Sequence, residues 1–418
     1  MAKGAAIYAV VGLIIGLLVG AGAAAAYYAA QPPRVEYKAV PEGLLPKEIA
    51  IGVLLPLTGD LATYGENGKY AIELAEKDIN DYVKNKLGLD VTFKFYIEDT
   101  KTSAEGALNA IKTLAAKGVK FVLGPYASSE VRNVMSYAQE NNIIIISPSS
   151  TAPALAVPGD NVFRTVPTDT LQGEALAKVI WEFGIRKLVI IYRNDDWGIG
   201  LAKSVKENFE ALGGQTVFIP YDYKVKVYST EVAKAADAVR DFGAGDDVGV
   251  CLISFEEDGI EVVKEASAHD VLMNRKWFGS DGIAYSSKVA TGIKDYADMI
   301  NGIPSTIYIP AASAKKDAFI KRFAEQYKIS PHPYSMNLYD SAWIVALSIL
   351  EARAYDPAKV KELIPVVANN YFGVSGWTAL DDAGDRAYGD YVVTKIVDGT
   401  WKDIAVYSAS ADIVTWLS

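Results

Sequence analysis

The stretch SPSSTAP, residues 147–153, places Ser147, Ser149, Ser150 and Thr151 directly after the isoleucine run Ile143–Ile146 and braces them with Pro148 and Pro153. Hydroxyls on a stiff loop are donors of fixed direction, suited to an anionic group. A second pair, Ser128 and Ser129 in PYASSE, stands where an apolar run gives way to a helical pattern. A helix start offers free N–H groups and partial positive charge, which suits a carboxylate. Serine there also serves as a plain N-cap. Farther along, Asp281 in SDGIAYS could hold an ammonium group, and Trp197 in RNDDWG could cover an aliphatic or cationic part. Alone, Asp281 before Gly282 reads as a turn residue and Trp197 as packing. Together, hydroxyls on one side and an acid with a ring on the other describe a site for a small zwitterion.

Other chemistries find little support. The net charge is −10, and phosphate binding needs a basic surface, so nucleic acid is not an expected partner. The single cysteine, Cys251 in VGVCLI, reads as a small buried hydrophobe and forms no intrachain disulfide or cysteine-rich metal site. The two histidines, His269 and His332, are far apart in sequence. No G-x-S-x-G, H-E-x-x-H or G-x-x-x-x-G-K-[ST] motif occurs, so neither an enzyme nor an ATPase of those types is expected. No catalytic residue, cofactor or metal is assigned.

The elements that must position these residues alternate strand and helix from Ile49 onward. EIAIGVLLPL, DVTFKFYIED, VKFVLG and IIIIS read as strands, with helical spacing between them. The pattern restarts after VFRTVPTD with KLVIIY, QTVFIP, DVGVCLIS and RKWFGS. This order implies an α/β chain with two doubly wound parallel-sheet lobes joined by a hinge. The expected division is 49–166 plus 301–354 for the first lobe and 167–300 plus 355–418 for the second, so the chain crosses between lobes more than once. The candidate residues all lie in loops after strands, where open α/β sheets bind ligands.

Residues 4–30 carry no charge and would span about 40 Å as a helix. The expectation for 1–31 is an N-terminal transmembrane helix that anchors the protein to the membrane. The alternatives are a cleaved secretory signal, or processing after Gly4 as in archaeal prepilins, which AKGAA resembles. Residues 32–48, with four prolines, read as a tether.

From about residue 48 the sequence resembles the extracellular solute-binding proteins of branched-chain amino acid ABC transporters, which have the type I periplasmic-binding-protein fold. The resemblance rests on IGVLLPLTGDLATYGENGKYAIELAEKDIN, VLGPYASSEV, IISPSSTAPAL, VFRTVPTDTLQGEALA, WGIGLA and FGSDGIAYS, in that order. It implies ligand binding by Ser128, Ser149 and Thr151 toward a carboxylate, Asp281 toward an ammonium, and Trp197 and Tyr64 as aromatic walls. Phe255 and Glu256 occupy another cleft-facing loop. Where many relatives have tyrosine and glutamate, this chain has Trp197 and Asp281. The implied partners are an amino acid and ABC permease subunits, and the implied location is the cell surface. Related modules also act as amide sensors and receptor ectodomains, so a sensor for amides or small carboxylates is the alternative, with a surface filament as another.

Overall fold

The computed structural model describes residues 45–417, so the expected anchor at 1–31 and most of the expected tether lie outside the described residues. Among the described residues no helix is long and apolar enough to cross a membrane. The first sheet is built from β1 (Glu48–Leu55), β2 (Thr92–Asp99), β3 (Phe121–Leu123), β4 (Ile144–Ser147) and β5 (Val162–Arg164), all parallel, in the order β2-β1-β3-β4-β5. Its central strands are apolar at successive positions because helices cover both faces. These helices are α1 (Ala62–Asn85), α2 (Ala104–Ala116) and α3 (Ser128–Glu140).

The second sheet repeats the design. It holds β6 (Lys187–Arg193), β7 (Gln215–Tyr221), β8 (Val248–Ile253) and β9 (Lys276–Phe278), parallel, in the order β7-β6-β8-β9. Its helices are α4 (Asp169–Glu182), α5 (Asp196–Ala211), α6 (Ser229–Asp241), α7 (Glu256–Ala266), the short α8 (Asp270–Met273) and α9 (Ser287–Gly292). Cys251 is fully buried in β8.

The chain then adds β10 (Ser305–Ile309), α10 (Ala314–Tyr327), α11 (Pro333–Ala352), α12 (Pro357–Asn370), the short pair β11 (Phe372–Gly373) and β12 (Gly376–Trp377), and β13 (Asp390–Val397), β14 (Thr400–Ser408) and β15 (Ile413–Trp416). β13 and β14 form the hairpin read from the sequence, turning at Asp398 and Gly399 with φ of 52° and 73°, which suits an Asp-Gly turn. β10, grouped with the first lobe in the sequence reading, pairs with β13 and meets β9 through a bridge between Gly279 and Ser305. α12, grouped there with the second lobe, packs on α11, and α11 packs on α1. The apolar face of a helix is satisfied by whichever layer lies within reach, and sequence order alone does not choose between layers.

In each parallel sheet the connections reverse direction once, between β1 and β3 in the first and between β6 and β8 in the second. Such a reversal opens a crevice beyond the carboxyl ends of the strands.

Candidate functional site

Both crevices open on one space. Leu61 and Tyr64 follow β1, Tyr126, Ala127 and Ser128 follow β3, and Ser149 follows β4. Trp197 follows β6, Phe255 follows β8, and Asp281 and Gly282 follow β9. With Tyr334 from the start of α11, these residues line a small cavity of about 20 Å³. That is room for roughly one water.

The hydroxyl wall is held from behind. Ser128 is the first residue of α3 and not its N-cap; Ala127 holds that position, and its N–H donates to the Glu130 carboxylate at 2.9 Å. Glu130 thus satisfies the helix start and leaves the serine for other work. Ser128 Oγ accepts from the backbone N–H groups of Thr151 (3.2 Å) and Ala152 (3.1 Å). Both contacts use oxygen lone pairs, so the hydroxyl proton stays available for donation. Ser147 Oγ donates to the Pro125 carbonyl at 2.6 Å and accepts from Ser150 N–H at 3.2 Å, a brace within the loop. Asn337 holds the Pro148 carbonyl at 3.1 Å. Thr151 is not among the cavity-lining residues. Its carbonyl accepts from Asp169 N–H at 2.8 Å, and its buried hydroxyl neighbours the Asp169 carboxylate.

The opposite wall carries rings and charge. Asp195 caps α5 by accepting from Gly198 N–H at 2.9 Å, which fixes Trp197 in the first turn. The Trp197 ring stacks on Phe255 with centroids 4.8 Å apart, and Phe255 covers the Arg193 guanidinium at 4.0 Å. Gly282 permits this stack, since a Cβ there would lie 2.6 Å from the indole. Asp281 is buried; it accepts from Gln172 Nε2 at 2.9 Å and from the Tyr334 hydroxyl at 2.7 Å. Tyr64 reaches across from α1 and donates to the Ala284 carbonyl at 3.1 Å. His332, whose ring centroid is 4.4 Å from that of Tyr64, caps α11, and burial depresses its pKa to about 3, so it stays neutral.

Five of the six residues singled out from the sequence therefore meet at one cavity: Tyr64, Ser128, Ser149, Trp197 and Asp281. The sequence reading missed Asp169, Gln172 and Tyr334. Asp169 is fully buried, with the Thr151 hydroxyl as its side-chain hydrogen-bonding neighbour. Burial pushes Asp281 up to about 6, against the pull of its Tyr334 and Gln172 hydrogen bonds. Burial, and then the neighbouring Asp281 charge, push Asp169 well above the usual carboxylate range. Asp169 and Gln172 sit three apart on α4, one helical face, and the acid and amide in PTDTLQG were the available signal.

The lobes meet around this cavity. Asp60, in the loop after β1, accepts from Lys226 at 2.9 Å and lies 3.5 Å from Arg193, both from the second sheet's side. Arg132 of α3 pairs with Asp196 of α5 at 3.3 Å. These contacts span the cleft and describe a closed arrangement.

Residues 68–399 match the receptor family ligand binding region. MJ1266 of Methanocaldococcus jannaschii is 33% identical over 387 residues, covering 88% of this chain and 91% of that protein. The Leu/Ile/Val-binding protein BraC3 of Rhizobium johnstonii is 26% identical over 349 residues, covering 79% and 88%. Among solved structures, the leucine binding protein LivK from Thermotoga maritima aligns with a TM-score of 0.76 at 21% identity, covering 87% of this chain and 99% of that one. The branched-chain amino acid transporter substrate binding protein LivJ from Streptococcus pneumoniae, solved with isoleucine, aligns at 0.70 and 20% identity, covering 86% and 98%. These neighbours share the type I periplasmic-binding-protein fold, and BraC3, LivK and LivJ are by name solute-binding proteins. The chain belongs to the family of the receptor family ligand binding region.

Proposed function

We propose that this protein is the solute-capture component of an ABC importer. It takes an amino acid, branched-chain or similar in size, between two lobes, and its closed form delivers the solute to permease subunits. Ser128 and Ser149, backed by Thr151, grip the carboxylate, while Asp281 and Asp169 take the ammonium. Trp197 and Tyr64 wall the side chain. The observation that carries this reading is the convergence of hydroxyls from one crevice and the buried Asp281 from the other on a single cavity. Asp169 supports it further: a carboxylate that is fully buried beside the Asp281 charge costs free energy that an arriving cation offsets. The printed names of BraC3, LivK and LivJ support a branched-chain amino acid as the solute. In this reading 1–31 anchors the protein in the membrane, 32–48 is the tether, and the lobes lie outside the cell, hinged where the chain crosses between them.

A thermal-shift screen of the full-length protein against amino acids, amides and small carboxylates tests this. A solute at a hundredfold above its Kd adds about 2.7 kcal/mol of stability. Stabilisation by amino acids supports the reading. Stabilisation by amides or simple carboxylates alone moves it to a sensor of those compounds.

A further inference from the structure

We propose that Arg164 and Asp385 are positioning residues that couple the hinge to the loop gripping the ligand's carboxylate; the ligand role of that loop rests on the function proposed above. Arg164 ends β5 and is fully buried. Its Nε and Nη2 donate to the two Asp385 carboxylate oxygens, each at 2.5 Å, a fork-to-fork pair. Its Nη1 donates to the carbonyls of Ser150 (3.2 Å) and Ala152 (2.8 Å). The N–H groups of Thr151 and Ala152 are already held by Ser128. Peptides fixed on both their carbonyl and N–H sides cannot rotate, so Ser149 and Thr151 keep their direction.

Asp385 belongs to segment 378–389, which carries the chain from β12, packed on α12, to β13, paired with β10. That segment is laid along β5: Arg164 N–H donates to the Gly384 carbonyl at 2.9 Å, and Arg386 N–H to the Arg164 carbonyl at 2.8 Å. Arg386 also donates to the carbonyl of Thr165, in the first crossing, at 3.2 Å. Segment 378–389 and the stretch that follows β5 thus meet at Arg164, whose other donors reach the binding loop. A hinge rotation that moves segment 378–389 moves the Asp385 carboxylate and, through the rigid guanidinium, the carbonyls of Ser150 and Ala152. Lysine would not substitute, because a single ammonium cannot span both partners in the plane of the fork.

The test compares wild-type full-length protein with Asp385→Asn, and with Arg386→Lys as control. Arg386 anchors the same segment, and its side chain reaches the 147–153 loop only indirectly, through a 3.5 Å contact with Asn337, whose amide holds the Pro148 carbonyl. Without ligand, amide hydrogen exchange at 149–152 is expected to speed up at least tenfold in Asp385→Asn, with β1 unchanged, and to stay at the wild-type rate in Arg386→Lys. If Asp385→Asn does not fold, Asp385→Glu, which keeps the charge on a longer arm, is expected to show the same loosening to a smaller degree. With ligand, the ratio of the Kd for leucinamide to that for leucine is expected to fall at least fivefold in Asp385→Asn. A merely structural role would weaken both ligands alike and leave the ratio unchanged. Wild-type exchange at 149–152 in the Asp385 variants, or equal loosening in Arg386→Lys, overturns the coupling. A wild-type protein that does not distinguish leucine from its amide overturns the carboxylate role of the loop, and the exchange result still decides the coupling.

Discussion

The two walls of the cavity differ in how fully their polar groups are satisfied. On the first sheet's side, Ser128, Ser147 and the backbone around Ser150 and Ala152 are locked by neutral hydrogen bonds and by Arg164. On the second sheet's side, two acids are buried, and the Asp281 charge adds to burial in raising Asp169. The first wall is preorganised and gains little on binding beyond its own contacts. The second is costly when empty and is relieved by a cation. The ammonium end of the solute should therefore contribute more to affinity than the carboxylate end.

Four measurements sharpen or break that contrast. The largest effect is expected for Asp281→Ala. Truncating one partner of a buried charge pair typically costs 2–5 kcal/mol, so amino-acid binding should weaken by about a hundredfold or more in calorimetry. The matching deaminated acid should lose far less, and equal losses would remove the ammonium role. Ser128→Ala follows, at about 1–3 kcal/mol, selective for the carboxylate and sparing an amide ligand.

The third is a pH series. Because Asp281 titrates near 6 in the folded, empty protein against an ordinary 3.8, the folded state binds its proton more tightly than the unfolded chain does. Stability of the empty protein should fall as pH rises from about 4 to about 6, and Asp169, also raised, adds to the fall. Amino-acid affinity should move the other way, dropping by up to about tenfold per pH unit below 6 as Asp281 protonates. Affinity unchanged between pH 5 and 7 would contradict the assignment. The smallest effect is expected for Asp60→Asn, which removes the ion pairs across the cleft with Lys226 and Arg193. The Lys226 partner is half-exposed, and such pairs contribute about 1 kcal/mol or less, while Arg193 keeps its ion pairs with Asp195 and Asp258, so a few-fold faster release in stopped-flow measurements is expected, most visible at low salt.

Much of this was legible in the sequence because parallel sheets write themselves as apolar runs and the chemistry sits in the loops that follow. Ile143–Ile146 followed by SPSSTAP announced both a buried strand and its ligand loop. Residue type did not separate the serines by role: Ser147 braces the loop, while Ser128 lines the cavity. Asp169 and Gln172 were missed because both lie at the head of a helix, where an acid reads as an ordinary partner of the helix dipole. Tyr334 was missed because it reaches the cavity from α11, far along the chain, through packing that no local pattern encodes. The packing of β10 and α12 was illegible for the same reason.

The most direct test of the central claim is calorimetric titration of the wild-type protein with the best-binding amino acid, its amide and its deaminated acid. Opposed grips predict that both analogues bind at least tenfold more weakly than the amino acid, the deaminated acid being the weaker. An analogue lacking either charged end that binds as tightly as the amino acid would contradict it.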